Sequence, residues 1–499
     1  MQKITKLLIA NRGEIALRII RACKELGIES VVAFSEADAN GLWVARADEA
    51  YPVMGNPVDA YLGFDKIIEI AKKANCDAIH PGYGFLSESE EFAKACERAD
   101  IIFVGPKAEH IGLFGDKMAS KVAMKKLGVP VLEGTDEPIK EVQDGEKIAT
   151  EIGFPVIIKA AFGGGGRGMR IVREAGEFAK LFEAAKNESL KYFAKDEMFI
   201  EKYVENPRHI EIQIVADKYG NVIHLGERDC SIQRRHQKVI EITPSPTLSS
   251  KTREKLAKVS VDAMKEMGYE SVGTVEFLVD ADENAYFIEM NTRVQVEHPV
   301  TEVVSSVDII KEMIAIADGQ SLSLKQEDVL FRGYAIEFRI NSEDPKNSFM
   351  PTTGTIKEYT APAGPGVRVD SALYSGYELL MCYDSMIGKL IISDVTWEAT
   401  LKRAKRAFDE FVLDGVKTNI PLHRAVITEE QFVTGEFDTS YLDTKLKEFT
   451  LEHEQMQNRD KVKLQEMAKI IEKMKKIEDE ERKKREEMEA TLKKFFTLY

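Results

Sequence analysis

Hydrophobic and polar positions repeat with two different periods along this chain, and the period changes at a few sharp places. In the first hundred residues, short apolar runs at 7–10, 30–34, 78–80 and 101–104 read as buried strands. Between them, 13–26 and 64–74 carry apolar residues at helical spacing. That rhythm predicts a parallel, doubly wound sheet over residues 1–114. A helical connector is predicted over 115–130 and a small α+β lid over 131–203. Alternating apolar and polar positions dominate from 204 to 446, as in 210–215 and 222–225, and predict a larger α+β domain. The fold class expected is therefore α/β joined to α+β.

The last segment, 447–499, differs. No glycine follows Gly435 and no proline follows Pro421, and about half of its residues are charged, in mixed sign. Leu464, Met467, Ile471 and Met474 follow the 3-4-3 spacing of a coiled-coil seam. In the same register Glu481 and Arg485 interrupt the seam before Met488, Leu492 and Phe495. Two readings stand: a solvated charged helix, or a docking helix for a partner.

Composition narrows the function classes. A formal net charge of -15 argues against general nucleic-acid binding, which draws its affinity from phosphate neutralisation. No apolar run approaches the roughly 20 residues that span a bilayer, so no membrane association is expected. The five cysteines are scattered, with no Cys-x-x-Cys pair. A reducing cytoplasm is the expected setting.

Candidate chemistry concentrates in four places. Lys159-Ala-Ala-Phe-Gly-Gly-Gly-Gly-Arg-Gly168 lies between two predicted strands, 156–160 and 169–172. It lacks the Gly-Lys-Ser/Thr of a P-loop and does not open a helix, so it reads as a glycine hairpin. The backbone N–H groups of Gly164, Gly165 and Gly166 can approach phosphate closely, with Lys159 and Arg167 adding charge. The second place is a predicted hairpin over 271–291. A turn centred on Asp282-Glu283 sets Glu276 opposite Glu289, with Asn291 on the same face as Glu289. Opposed carboxylates repel, and a divalent cation with oxygen ligands relieves that.

Third, Asn291-Thr-Arg293-Val-Gln295-Val-Glu297-His-Pro299 combines an oxyanion-binding Arg293 with Glu297 as a candidate base. Fourth, in Gln233-Arg-Arg-His236-Gln-Lys238 the five residues 234–238 hold three strong cations and a histidine, which suggests an anion pocket. Lys117 opens the connector helix as either a phosphate contact or a surface lysine. Glu201-Lys202-Tyr203-Val204 leaves the lid and is a candidate hinge at an adenine edge.

Together with His80-Pro-Gly-Tyr-Gly-Phe-Leu-Ser-Glu88, Glu201-Lys-Tyr-Val-Glu-Asn-Pro-Arg-His209 and Arg228-Asp-Cys-Ser-Ile-Gln233, these strings resemble the biotin carboxylases of the ATP-grasp superfamily. The resemblance covers about residues 1–446. It implies an N-terminal doubly wound domain, an ATP-grasp lid and a C-terminal domain that completes the nucleotide cleft. It implies a two-step reaction, in which ATP and bicarbonate form carboxyphosphate and CO₂ is then captured by N1′ of biotin. By position, Lys117, Lys159, His209, Gln233 and His236 resemble ATP contacts, with Glu201, Lys202 and Val204 at the adenine end. Glu276, Glu289 and Asn291 resemble the ligands of two Mg²⁺ or Mn²⁺ ions. Lys238, Arg293, Gln295 and Val296 resemble the bicarbonate and biotin pocket, Glu297 the base, and Arg339 the group that stabilises the biotin enolate.

Phe162, Val239-Ile-Glu-Ile242, Thr418-Asn-Ile-Pro421 and Phe437-Asp-Thr439 resemble the pyruvate carboxylase branch. Ala263-Met-Lys-Glu-Met267 departs from the biotinyl Ala-Met-Lys-Met and lies in a helical pattern. Biotin is thus expected on a separate carrier and carboxyltransferase polypeptide, with 447–499 as the docking candidate, and the resemblance implies a homodimer. The competing readings are a relative of carbamoyl phosphate synthetase and a catalytically silent subunit. The Arg293–Glu297 string speaks against the first; intact Lys159, Glu276, Glu289, Glu297 and Arg339 speak against the second.

Overall fold

The computed structural model describes residues 4–135, 137–160, 169–193, 196–449 and 459–496. Five parallel strands form the first sheet, in the spatial order Glu49–Val53, Glu29–Ser35, Lys6–Ile9, Ala78–His80 and Ile102–Phe103. Helix Gly13–Leu26 follows the first strand and ends on Gly27 in the left-handed region (φ 71°). The apolar runs are strands because helices cover both faces of the sheet; Leu8, Val31 and Ile79 are buried in its core. The strand at 49–53 escaped the pattern reading because its polar positions and Pro52 are those of a sheet edge.

Two further helices, Ala108–Gly115 and Lys117–Lys126, lead to the next sheet. The Asp116 carboxylate caps the second helix, accepting hydrogen bonds from the Met118 and Ala119 amides (both 2.9 Å). The small sheet pairs Val156–Ala160 antiparallel with both Arg170–Val172 and Met198–Lys202. Helices Val142–Ile152 and Phe178–Phe193 cover it, with Phe178, Phe182, Ile158 and Ile200 as core. The strands flanking the glycine hairpin thus pair as its sequence implies, while Gly164, Gly165 and Gly166 lie outside the described residues.

An eight-stranded antiparallel sheet carries the remaining chemistry. Its order is Ala285–Asn291, Ser271–Val279, Arg208–Ala216, Val222–Arg234, Gln237–Thr243, Tyr334–Asn341, Met386–Asp394 and Val367–Ser371. Alternation in these strands separates two kinds of side chain. Ile210, Ile212, Ile214, Val275 and Phe277 pack against Leu256, Ala263 and Met264 of helix Ser250–Met267. Charged and amide side chains populate the strands between those apolar positions. The 263–267 string is helical, as its pattern predicts.

The unit that ends at Thr450 holds these three sheets and, among the described residues, three two-stranded ones. The second unit contains one helix, Arg459–Phe496, whose described side chains are all exposed. Among the described residues, no helix is long and apolar enough to cross a membrane. All five cysteines are unpaired; Cys382 is exposed and the others are buried.

Candidate active site

The hairpin Ser271–Val279/Ala285–Asn291 sets one wall of the site. Asp280 fixes its turn by accepting from the Asp282 and Asn284 amides (3.0 and 2.8 Å). The resulting register places Glu276 opposite Glu289. On the neighbouring strand Glu276 faces Glu211, and Glu211 faces Arg228 one strand further on.

The expected repulsion between Glu276 and Glu289 is relieved by cationic side chains from elsewhere in the chain. The Glu276 Oε1 atom accepts from Lys238 Nζ (2.8 Å), Asn291 Nδ2 (2.8 Å) and Gln295 Nε2 (2.9 Å). His209 Nε2 lies 2.8 Å from its other oxygen, and Lys117 Nζ lies 3.4 Å from Glu289. Burial works to raise the Glu276 carboxyl, but Lys238 and His209 overcome it and hold the group well below the usual range. Gln233 Nε2 is 2.9 Å from His209 Nδ1, which brings that proposed ATP contact into the same cluster.

Lys238 is the hub. Its ammonium reaches Glu211 (2.6 Å), Glu276 (2.8 Å) and Glu297 (2.8 Å) at once. Burial would lower its pKa, and the three carboxylates raise it well above the ordinary value instead. Glu297 sits at the start of helix His298–Ser305, whose Pro299 occupies the first turn. One Glu297 oxygen takes Lys238 and the other takes Arg339 Nη2 (3.0 Å). Against the raising effect of burial, Lys238, Arg339 and Arg228 keep Glu297 ionised far below the usual carboxylate range. Arg339 also donates through Nε to Glu241 (2.6 Å). The Glu241 carboxyl is pushed up to about 7 by burial, which Arg339 only partly opposes.

Arg293 does not pair with Glu297. It donates to Glu88 (2.9 Å), in the segment after strand Ala78–His80, and to Asn291 (2.7 Å). Lys389, fully buried, ties the same loop to the first domain by binding the Val296 carbonyl (2.9 Å) and Glu14 (3.0 Å).

The basic string 234–238 does not form one anion pocket. Arg235 and His236 make the hairpin turn, both at positive φ (51° and 64°), and their side chains are exposed. Arg234 pairs with Glu343 (3.0 Å), while Lys238 turns into the acidic cluster. A two-residue turn sends neighbouring side chains in different directions, which disperses a charge cluster that looks compact in sequence.

At the lid, Glu201 is clasped by Lys159 (2.5 Å) and Lys121 (2.9 Å). Lys202 donates to the Gly153 and Phe154 carbonyls. Val204 follows the strand that ends at Lys202. The side chains at 201 and 202 therefore brace the lid sheet. Burial favours protonated Glu201, yet Lys159 and then Lys121 hold its pKa at about 2. Because this lies below the ordinary 4.5, the stabilisation is complete above that value and is lost as pH falls toward 2. Glu201→Gln is expected to destabilise the lid by about 2 kcal/mol at pH 7. Its difference from the parent chain should shrink in urea titrations repeated at pH 3; a pH-independent difference would contradict the assignment.

Sequence reasoning missed Glu211, Arg228 and Glu241. Arg228 is fully buried and donates to Glu211, Gln213 (2.8 Å), Thr301 (2.9 Å), Thr274 (3.2 Å) and Gln295 (3.2 Å). A signal was present: in 209–214, polar His209, Glu211 and Gln213 alternate with three isoleucines.

Family models match three consecutive stretches of the chain. Residues 116–325 match the ATP binding domain of the carbamoyl-phosphate synthase L chain, which by itself suits either of two ligase groups. The flanking matches decide between them: the biotin carboxylase N-terminal domain over 3–111 and the biotin carboxylase C-terminal domain over 337–444. The chain belongs to the biotin carboxylase family. Among biotin carboxylase relatives, the 2-oxoglutarate carboxylase small subunit of Hydrogenobacter thermophilus is 51% identical over 438 residues, covering 88% of this chain and 93% of that one. A pyruvate carboxylase subunit of Methanothermobacter thermautotrophicus is 50% identical over 441 residues, covering 88% and 89%. These identities do not rank pyruvate above 2-oxoglutarate. The biotin carboxylase domain dimer of the Hydrogenobacter enzyme, solved with MgADP, ADP and bicarbonate, matches with a TM-score of 0.86. It is 49% identical and covers 91% of this chain and 100% of that one.

Proposed function

We propose that this chain catalyses ATP-dependent carboxylation of biotin with bicarbonate, through carboxyphosphate. The observation that carries this reading is Glu297, a buried carboxylate fixed between Lys238 and Arg339. A base flanked by cations suits one substrate type well: an anion that must lose a proton before it attacks.

In the proposed reaction Lys238 and Arg293 receive bicarbonate and Glu297 accepts its proton. Glu297 is a weak base while both cations rest on it. An anion that draws Lys238 and Arg339 toward itself returns Glu297 toward ordinary basicity, so the base strengthens when bicarbonate arrives. The bicarbonate oxygen then attacks the γ-phosphorus of ATP, and ADP leaves. Lys117, Lys159, His209, Gln233 and His236 are the proposed ATP contacts, with Glu201, Lys202 and Val204 at the adenine end and Gly164, Gly165 and Gly166 over the phosphates. Carboxyphosphate yields CO₂ and phosphate; that phosphate takes the N1′ proton of biotin, Arg339 stabilises the resulting enolate beside Gln295 and Val296, and N1′ then takes the CO₂. Closure of the lid keeps water from carboxyphosphate.

The oxygen donors of Glu276, Glu289 and Asn291 share one hairpin face and fit Mg²⁺ or Mn²⁺. Such an ion, when bound, supplies positive charge for the transferring phosphoryl group. The biotin carrier and carboxyltransferase are proposed to reside on another polypeptide, which then sets the carboxyl acceptor. A homodimer matches the dimer described for the Hydrogenobacter domain, and a reducing cytoplasm suits the five unpaired thiols.

With Mg²⁺ present, ADP release is expected to require bicarbonate and to rise on addition of free biotin. ADP release indifferent to biotin would remove the basis of this reading.

A further inference from the structure

The helix Arg459–Phe496 carries an unpartnered apolar seam. Leu464, Met467, Ile471, Met474, Met488 and Leu492 recur at 3- and 4-residue steps or their heptad multiples, and each is between 51% and 67% exposed. Ile470 and Ile477 widen the stripe. Removing such side chains from water is favourable, which favours covering the seam. The charges within it select the occupant. Glu478, Glu481 and Arg485 occupy the seam positions between its two apolar ends. A parallel pair of these helices would stack each of those charges on its own copy, which is unfavourable.

An antiparallel pair removes that conflict. In one register Met474 faces Leu492, Glu478 faces Met488, and Glu481 faces Arg485, each contact occurring twice around a two-fold axis near Lys483. Sliding by one heptad in one direction sets Glu478 against Glu481. Sliding the other way sets Arg485 against Met488 and Glu481 against Leu492. Only the first register gives both Glu481 and Arg485 an opposite partner. Lys475 then flanks Glu489 of the second copy, again with opposite sign. Arg482 approaches Arg482 of the second copy near the axis, but its charge is already engaged by Asp479 of its own helix (3.1 Å).

We propose that this helix pairs antiparallel with the same helix of a second copy of the chain, in the register that sets Glu481 against Arg485. The pairing is independent of the catalytic reading and of any dimer made by the larger unit.

Disulfide trapping in the full-length chain tests it directly. Cys382, the exposed thiol, is replaced by serine, and chains carrying Met474→Cys and Leu492→Cys are prepared separately. Mild oxidation of the mixture is expected to give at least about tenfold more cross-linked dimer than either chain alone, because two copies of position 474 lie about 27 Å apart along the paired helices. Equal trapping of the Met474→Cys chain with itself would indicate parallel helices and overturn the proposal. So would thiols that stay free until a biotin-carrier polypeptide is added and then link to it.

Charge reversal supplies a second readout, read as the yield of the 474–492 cross-link. Glu481→Arg alone and Arg485→Glu alone are each expected to lower it at least about fivefold, and mixing the two chains to restore it. Mixing cannot repair a contact within one helix, so failure to restore would overturn the assigned register.

Discussion

Glu297→Gln is expected to lower bicarbonate-dependent ATP cleavage by about two to four orders of magnitude while leaving nucleotide binding in place. The amide keeps the shape of the side chain but cannot take a proton from bicarbonate. It also loses the charge that anchors Lys238 and Arg339 (2.8 and 3.0 Å). Those two effects separate experimentally. A loss of anchoring alone raises KM for bicarbonate, whereas loss of the base lowers kcat even at saturating bicarbonate. Equilibrium binding of ADP should stay within about threefold of the parent, since no proposed nucleotide contact depends on Glu297. Retained carboxylation would remove Glu297 as the base.

Arg228→Met is expected to destabilise the larger unit by about 3 kcal/mol, because Glu211 keeps Lys238 but loses its second cation, and four further buried acceptors lose their donor. Arg228 neutralises Glu211 in the sheet interior and holds Gln295 (3.2 Å), whose amide in turn reaches Glu276 (2.9 Å). Methionine fills much of the same volume but satisfies none of these acceptors. The cost should show in urea unfolding midpoints, together with a weakened response to Mg²⁺ as Glu276 loses its brace. Adding Glu211→Gln removes the buried charge that Arg228 helped to neutralise, so the double variant should recover part of the loss. A double variant less stable than Arg228→Met would show that the Arg228–Glu211 pair is not the source of the effect.

Much of the scaffold was legible because local patterns dictate it. The strand at 78–80, the helix at 13–26 and the strand at 156–160 are set by short-range periodicity and by caps such as Gly27 and Asp116. The 276–289 register was legible too, since the Asp280 turn fixes which residues face each other. The electrostatics of the site were not. Lys238 comes to Glu276 from 38 residues away, and Lys117 comes to Glu289 from the start of helix Lys117–Lys126. Repulsion between two glutamates could be inferred locally, but its relief depends on strand order across the sheet.

The same reason hid Arg228. In Glu227-Arg-Asp229 it reads as part of a solvated charge run, yet the sheet buries all three residues. The 234–238 cluster misled in the opposite sense. Adjacent cations suggested one pocket, and the turn at Arg235-His236 sends them apart. The family strings reached the correct chemistry because they sample several distant strands at once, which periodicity within one strand does not.

In the proposed reaction bicarbonate itself is phosphorylated before biotin is carboxylated. Supplying bicarbonate labelled with heavy oxygen, together with unlabelled ATP, Mg²⁺ and free biotin, follows the relevant atom. Carboxyphosphate retains one bicarbonate oxygen on phosphorus when it releases CO₂, so mass spectrometry should find one labelled oxygen in each phosphate formed. Phosphate free of the label would mean that water, not bicarbonate, had attacked ATP, and would rule out the carboxyphosphate route.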